Sequence, residues 1–288
     1  MSDTLILAVV QHACGDDPAA NLDAAVAAVA EAGARGARLV LLPELHNTRY
    51  FCRTEDPAAF DLAEPVPGPT TERLGEAARA AGAVVVGSVF ERRAAGLYHN
   101  TAVVLDTDGR LAGRYRKAHI PDDPGYYEKF YFTPGDTGFE PIDTAVGLLG
   151  VLVCWDQWYP EAARLMALAG AQVLLYPSAI GWDPADDEAE RERQLRAWQG
   201  VQRGHAIANC LPLAAANRIG DEDDTRFWGH GFIAGPQGEM LAEGGIGPEI
   251  LTAELDLSRT DTLRRMWPFL RDRRIDAYGD LALRFRDW

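Results

Sequence analysis

The sequence predicts a layered α/β fold with mixed sheets, and three features carry that prediction. Short runs rich in Val, Leu and Ile recur without polar alternation, amphipathic helical segments separate several of them, and an Asp-Gly pair sits between two strand-like runs. Unalternated apolar strands are covered on both faces, which calls for helices or a second sheet on either side. An Asp-Gly turn is a strong hairpin signal, so parallel and antiparallel pairs coexist.

Along the chain, "LILAVV" opens the first strand. Asp17 then caps a helix whose first position is Pro18 and whose apolar face is Leu22, Val26, Val29 and Gly33. "RLVLLP" follows as a strand, then a helix with Leu74, Ala77, Ala78 and Ala81 on one face that stops at Gly82. "AVVVGSVF" is the next strand, and "TAVVLDTDGRLAGRYRK" is a hairpin turning at Asp108-Gly109. "LLGVLV" leads to a helix from Pro160 with Ala162, Leu165, Met166 and Ala169 together, and "AQVLLYP" leads to the longest helix, Asp187 to Asn209. No linker, repeat or low-complexity segment divides residues 1–288, so one domain is expected. The tail, residues 266–288, mixes aromatics with arginines and is expected to dock on a neighbouring subunit.

With 288 residues and 47% apolar content, the chain has ample material for a buried core. Its formal charge of −15, from 43 acids against 28 bases with no cluster of Lys and Arg, argues against a nucleic-acid partner. No run approaches the ~20 apolar residues of a membrane helix. "MSDTLILAVVQ" has an acid where a signal peptide carries positive charge, so a cytoplasmic location is expected. Cys14, Cys52, Cys154 and Cys210 form no CxxC pair, the six histidines form no HExxH, and no GxSxG or P-loop pattern occurs. Free thiols are expected, and zinc-hydrolase, serine-hydrolase and nucleotide-binding classes lose their ground.

Three polar side chains end three strand-like segments: Glu44 after "RLVLLP", Lys117 after "RLAGRYR" and Cys154 after "LLGVLV". At strand ends a sheet fixes the backbone while a loop exposes the side chain. A thiol has a pKa near ~8.5 and attacks only as thiolate, so a nucleophilic cysteine needs a base or a cation beside it. The helix from Pro160 starts too far along for its dipole to help. Activation falls to Glu44 as proton carrier and Lys117 as oxyanion stabiliser, with the Trp155 backbone N–H as a second oxyanion donor. Only two of the 28 basic residues, Lys117 and Lys129, are lysines, which suits a position needing a compact ammonium. Each residue alone has a plainer reading: a core cysteine, a solvated loop acid, a surface charge.

Longer segments narrow the choice. "LLPELHNTRYFC", "RKAHIPDDPGYYEKFYFTPGDTGF", "CWDQWYPEAAR", "YPSAIGWDP", "GHAIANCLPLAAANRIG" and "FIAGPQGE" resemble the nitrilase superfamily of carbon–nitrogen hydrolases, and within it the N-carbamoylputrescine amidohydrolases. The resemblance implies a four-layer α-β-β-α sandwich that dimerises or assembles further. It implies a triad of Glu44, Lys117 and Cys154, and a second glutamate, Glu128, that orients Lys117 or assists proton transfer. It further implies hydrolysis of N-carbamoylputrescine to putrescine, carbon dioxide and ammonia through a covalent intermediate on Cys154, with no metal or organic cofactor. Within enzymes the alternative is another amidase of the superfamily, acting on an N-carbamoyl-β-amino acid or an aliphatic amide. Outside them it is a catalytically silent scaffold or thiol sensor.

The loop "SAIGWDPADDE" supplies Asp183, Asp186, Asp187 and Glu188 before any base, which favours a substrate ending in an ammonium over one ending in a carboxylate. Burying four methylenes contributes roughly 3 kcal/mol, whereas a buried charge left without its partner costs about 2–5 kcal/mol. Charge therefore selects at least as strongly as chain length. Asp183 is expected to meet the ammonium, Asp186, Asp187 and Glu188 to cap or solvate the long helix, and Tyr126, Trp155 and Trp182 to wall the pocket. Two departures from the family pattern stand out: His46, where an aromatic is commoner, and Trp182-Asp183 in place of Ser-Glu.

Overall fold

The computed structural model describes residues 4–287. Its strands are β1 (Thr4–Gln11), β2 (Leu39–Leu41), β3 (Val84–Ala94), β4 (Leu97–Leu105), β5 (Leu111–Arg116), β6 (Ile142–Thr144), β7 (Gly147–Val151), β8 (Val173–Ser178), β9 (Gly181–Trp182), β10 (Leu213–Asn217), β11 (Ile219–Glu222), β12 (Thr225–Trp228), β13 (Phe232–Ala234), β14 (Met240–Glu243) and β15 (Glu249–Asp256). The helices are α1 (Pro18–Ala34), α2 (Pro69–Ala81), α3 (Glu128–Tyr131), α4 (Pro160–Leu168), α5 (Glu188–Asn209) and α6 (Ser258–Met266). One six-stranded sheet has the order β15-β1-β2-β3-β4-β5, a second β14-β13-β10-β8-β7-β6, and a small third sheet β11-β12-β9. Read from β15 and from β6, the two large sheets share one pattern of pairing: antiparallel, two parallel, two antiparallel. The parallel steps are crossed by α1 and α2 in the first sheet and by α4 and α5 in the second, as parallel pairs require.

Strand alternation builds the layers. Leu7, Val9, Leu39, Leu41, Val84 and Val86 share one core with Leu149, Val151, Leu175 and Leu213 of the second sheet, while Ala8, Val10, Val40 and Val85 pack on Leu22, Ala25, Val29 of α1 and Leu74, Ala78 of α2. The second sheet is covered in turn by Ala162, Met166, Trp198 and Ala206 of α4 and α5. The result is the α-β-β-α sandwich.

Local signals act as read. Asp17 accepts the Ala19 N–H at 2.9 Å to cap α1, Gly82 closes α2 at φ 61°, and Gly109 turns the β4–β5 hairpin at φ 81°. Asp187 caps α5 by accepting the Glu190 N–H at 2.8 Å. One face needs correction: α4 buries Ala162, Ala163, Met166 and Ala167, whereas Leu165 and Ala169 are exposed. With Leu168 and Ile207 also exposed, α4 and α5 present apolar side chains outward. The tail returns over these two helices, bringing Phe269, Tyr278 and Leu281 beside Pro160 and Arg164, and it keeps Ile275 and Phe285 exposed.

Candidate active site

Glu44, Lys117 and Cys154 stand three, one and three residues beyond the ends of β2, β5 and β7. The Glu44 N–H donates to the Ser178 carbonyl at 3.3 Å, which ties the first sheet's strand end to the second sheet. The Lys117 N–H donates to the Asn100 carbonyl at 2.9 Å. Cys154 opens a short 3-10 turn, Cys154–Trp158, at φ 42°. A left-handed backbone at a non-glycine residue persists only where its surroundings over-determine it, and such residues gather at functional sites.

Asp156 does much of that determining. Its fully buried carboxylate accepts from the Val153 N–H at 2.9 Å and the Tyr115 hydroxyl at 2.9 Å, and from the His119 N–H at 3.0 Å and ring at 2.7 Å. Tyr115 and His119 flank Lys117, so one carboxylate fastens the cysteine turn to the lysine strand. The sequence reading missed Asp156; an acid two residues after the cysteine, inside an apolar and aromatic run, was the available signal.

Behind the turn lies a buried cluster of three ionisable side chains. Lys117 Nζ donates to Glu44 Oε1 at 2.8 Å and to both Glu128 oxygens at 2.9 and 2.7 Å. Asn100 donates to Glu44 Oε1 at 2.6 Å, and the Tyr50 hydroxyl to Glu128 Oε1 at 2.6 Å. Glu44 Oε2 is buried and has no protein partner, an acceptor held open at the site. Burial works against the Lys117 charge, but Glu128 and Glu44 outweigh it and hold the ammonium well above its ordinary value. Burial raises Glu128 to about 7, with Lys117 pulling down and Glu44 pushing up. Burial and then Glu44 push the Cys154 thiol well above its ordinary range against the pull of Lys117.

A cavity of about 350 Å³ opens onto Cys154 and Glu128, with Tyr126, Trp155 and Trp182 in its walls. Glu44 and Lys117 are fully buried behind it. Asp183 reaches the rim but is exposed, its Oδ1 accepting the Ala185 N–H at 2.8 Å. Asp186 serves the long helix through Gln194 rather than as its cap, and it also faces the cavity. It is half-buried and lines the same cavity, accepting from the Asp183 N–H and from Gln194 at 3.1 Å each, while Asp187 alone caps α5. Asp123 and Arg53 also line the cavity, and Arg53 is already engaged by Asp224 and by the Gly125 carbonyl. His46 is wholly buried and forced neutral, its pKa lowered to about 3 by burial, and it packs as a ring against Gly87. It fills the aromatic position without bringing charge. Among the described residues, no group of three or more His, Cys, Asp or Glu side chains is placed to hold a metal, and no helix is long and apolar enough to cross a membrane.

The profile of the carbon–nitrogen hydrolase family matches residues 6–265, and the chain belongs to that family. An N-carbamoylputrescine amidase of Solanum lycopersicum is 44% identical over 282 residues, covering 94% of this chain and 93% of that one. A citrullinase of Francisella tularensis is 40% identical over 285 residues, covering 97% of this chain and 98% of its own length. In three dimensions a carbon–nitrogen hydrolase from Helicobacter pylori superposes with a TM-score of 0.96 at 51% identity, covering 98% of this chain and 100% of that one.

Proposed function

We propose that this protein is a cysteine amidohydrolase of N-carbamoyl amines, with N-carbamoylputrescine as its substrate. The observation that carries the reading is the cavity floor: a cysteine thiol at a strained turn, backed by one ammonium between two carboxylates, one of which keeps a free oxygen. Glu44 takes the thiol proton as Cys154 Sγ adds to the carbamoyl carbon, and the electron pair of the C=O bond moves onto its oxygen. Lys117 and the Trp155 N–H stabilise that oxyanion. Glu44 returns the proton to the departing nitrogen, leaving a thioester-type carbamoyl intermediate on sulfur. Water that gives its proton to Glu44 then releases the carbonyl group and restores the thiol. Glu128 holds Lys117 from the other side and keeps it charged throughout. The steps use only side chains, one backbone N–H and water.

The acids Asp183, Asp186 and Asp123 at the cavity favour the ammonium end of the carbamoyl amine, and Tyr126, Trp155 and Trp182 cover its methylenes. The tomato relative's name supports this substrate. The citrullinase relative supports a second reading, a carbamoylated amino acid whose carboxylate would need Arg53, but that guanidinium is already engaged. Ammonia release from a panel of N-carbamoyl compounds differing only in terminal charge separates the two: the cationic member should turn over fastest, and a faster carboxylate-ended member refutes the assignment. The outward apolar side chains of α4, α5 and the tail support self-association, and the acidic surface suits a cytoplasmic enzyme.

A further inference from the structure

Arg218 follows β10, is fully buried, and takes no part in the steps above. One of its terminal nitrogens donates to the Glu44 and Leu45 carbonyls at 3.1 and 2.8 Å; the other donates to the Thr48 carbonyl at 2.9 Å and to Glu222 Oε1 at 2.7 Å. Glu222, also buried, uses its second oxygen to accept the Tyr50 N–H at 2.7 Å. Tyr50 in turn is the residue whose hydroxyl meets Glu128 at 2.6 Å. A path of hydrogen bonds thus runs from the backbone of Glu44 through Arg218 and Glu222 to the Tyr50 backbone, and the tyrosine's own side chain carries it on to Glu128.

The backbone held by this path is not one the chain adopts unaided. Leu45 sits at φ 48°, and its N–H is taken by the Ser88 hydroxyl at 2.8 Å while its carbonyl is taken by Arg218. A lysine at position 218 lacks the planar fork needed to serve three carbonyls and a carboxylate together. Phe227 closes the space beside Arg218 and Tyr50, at 5.4 Å from the guanidinium carbon and 5.7 Å from the tyrosine ring.

We propose that Arg218, Glu222 and Tyr50 form a positioning strap that sets how the two carboxylates flanking Lys117 sit, Glu44 through its backbone and Glu128 through its side chain. None of the three lines the cavity. The inference rests on Glu44 and Glu128 being the working acids of the reaction. A buried Arg–Glu pair of purely structural use would affect only folding, whereas the strap also bears on the ionisation of Glu128, because the Tyr50 hydroxyl donates to its carboxylate at 2.6 Å and favours the anion.

The test is steady-state kinetics of the full-length enzyme with N-carbamoylputrescine across pH, comparing wild type, Tyr50→Phe and Glu222→Gln, with thermal melting of each. Tyr50→Phe keeps the ring and deletes only the hydroxyl, so the fold survives. The strap predicts a kcat lower by roughly ten- to 150-fold, the fold-change expected for one lost hydrogen bond to a charged group, with KM within about twofold. The acid limb of kcat/KM should move to higher pH, because Glu128 has lost a donor to its anion. Glu222→Gln should move both quantities the same way by less. Infrared titration of the Glu128 carboxyl, identified by its loss in Glu128→Gln, should show the same upward move in Tyr50→Phe without reference to turnover. Altered melting with wild-type kcat, limb and titration in both variants overturns the strap alone. A wild type that hydrolyses no N-carbamoyl compound overturns the reaction assignment and the strap with it.

Discussion

Arg116 and Lys117 are neighbours at the end of β5, and their side chains enter two different networks, one reaching the surface and one wholly buried. Arg116 forks onto Glu91 at 2.8 and 2.7 Å, and Glu91 also receives Thr101 at 2.5 Å and Arg114 at 3.3 Å. Asp136 is shared between Arg93 at 2.5 Å and Arg116 at 3.0 Å. Cations outnumber acids there, and the acids are held down. Arg93 and then Arg116 keep Asp136 at about 2, while burial of Glu91 is outweighed by its bonds to Arg116 and Thr101. One residue on, the balance inverts. A single ammonium serves two carboxylates, Glu128 rises to about 7, and Glu44 keeps a buried oxygen without a protein partner. Glu91 and Arg116 are buried while Arg93, Arg114 and Asp136 reach solvent, whereas Lys117, Glu44 and Glu128 are all buried; on the proposed reading, what marks the second network for chemistry is an excess of buried acid beside a cavity, where a proton has somewhere to go.

The comparison breaks most sharply at the two cations. Lys117→Met should lower kcat by at least about 10²–10³-fold, the scale of losing one oxyanion donor, and should destabilise the fold by about 3–5 kcal/mol because two buried carboxylates lose their counterion. Arg116→Met should show a destabilisation of the same order in chemical denaturation, yet the folded fraction should turn over within a few-fold of wild type. Equal losses of kcat in the two variants would erase the distinction. Next in size, Glu128→Gln should reduce kcat by about 10²-fold and abolish the rise of kcat/KM through pH about 7 that ionisation of Glu128 produces. A persisting limb would assign it to another group.

Stability against pH sharpens the contrast because the signs oppose. Glu128 has its pKa raised from 4.5 to about 7, so the unfolded chain releases that proton first and this group's contribution falls as pH rises across that window. Asp136 is depressed from 3.8 to about 2, so its contribution is present above 3.8 and is lost as pH falls through about 2. Denaturant midpoints of Glu128→Gln and Asp136→Asn against wild type should diverge in those separate windows, and divergence in the same window would contradict the charge balance drawn here. The smallest effects belong to the cavity mouth. Asp186→Asn should raise KM for the cationic substrate by about tenfold and exposed Asp183→Asn by no more than about fivefold, since exposed pairs contribute about 0–1 kcal/mol. The reverse order would return the ammonium to Asp183.

Much of this was legible in the sequence, for physical reasons that also mark where reading stops. Apolar runs such as "RLVLLP" and "LLGVLV" gave their strands away because both faces are buried, and Asp17, Gly82 and Asp108-Gly109 act through local geometry that needs no tertiary context. Glu44, Lys117 and Cys154 were visible as chemistry stranded at strand ends. The Ala-rich β10 was not read as a strand from its residues, since "LAAAN" carries no β-branched signal and is fixed by pairing between β8 and β13. Leu165 was misplaced because its spacing fits the buried face while the sheet takes Ala163 and Ala167 instead. Asp156, Tyr50 and Arg218 stayed hidden because the contacts that join them to the site residues span separations of 37 to 174 residues.

The most direct test of the account is intact-protein mass spectrometry during turnover of N-carbamoylputrescine, followed by mapping of the modified peptide. The account predicts a transient carbamoyl-derived adduct on Cys154 in wild type, and neither adduct nor turnover in a folded Cys154→Ala variant. Turnover retained by Cys154→Ala, or an adduct on another residue, would contradict it.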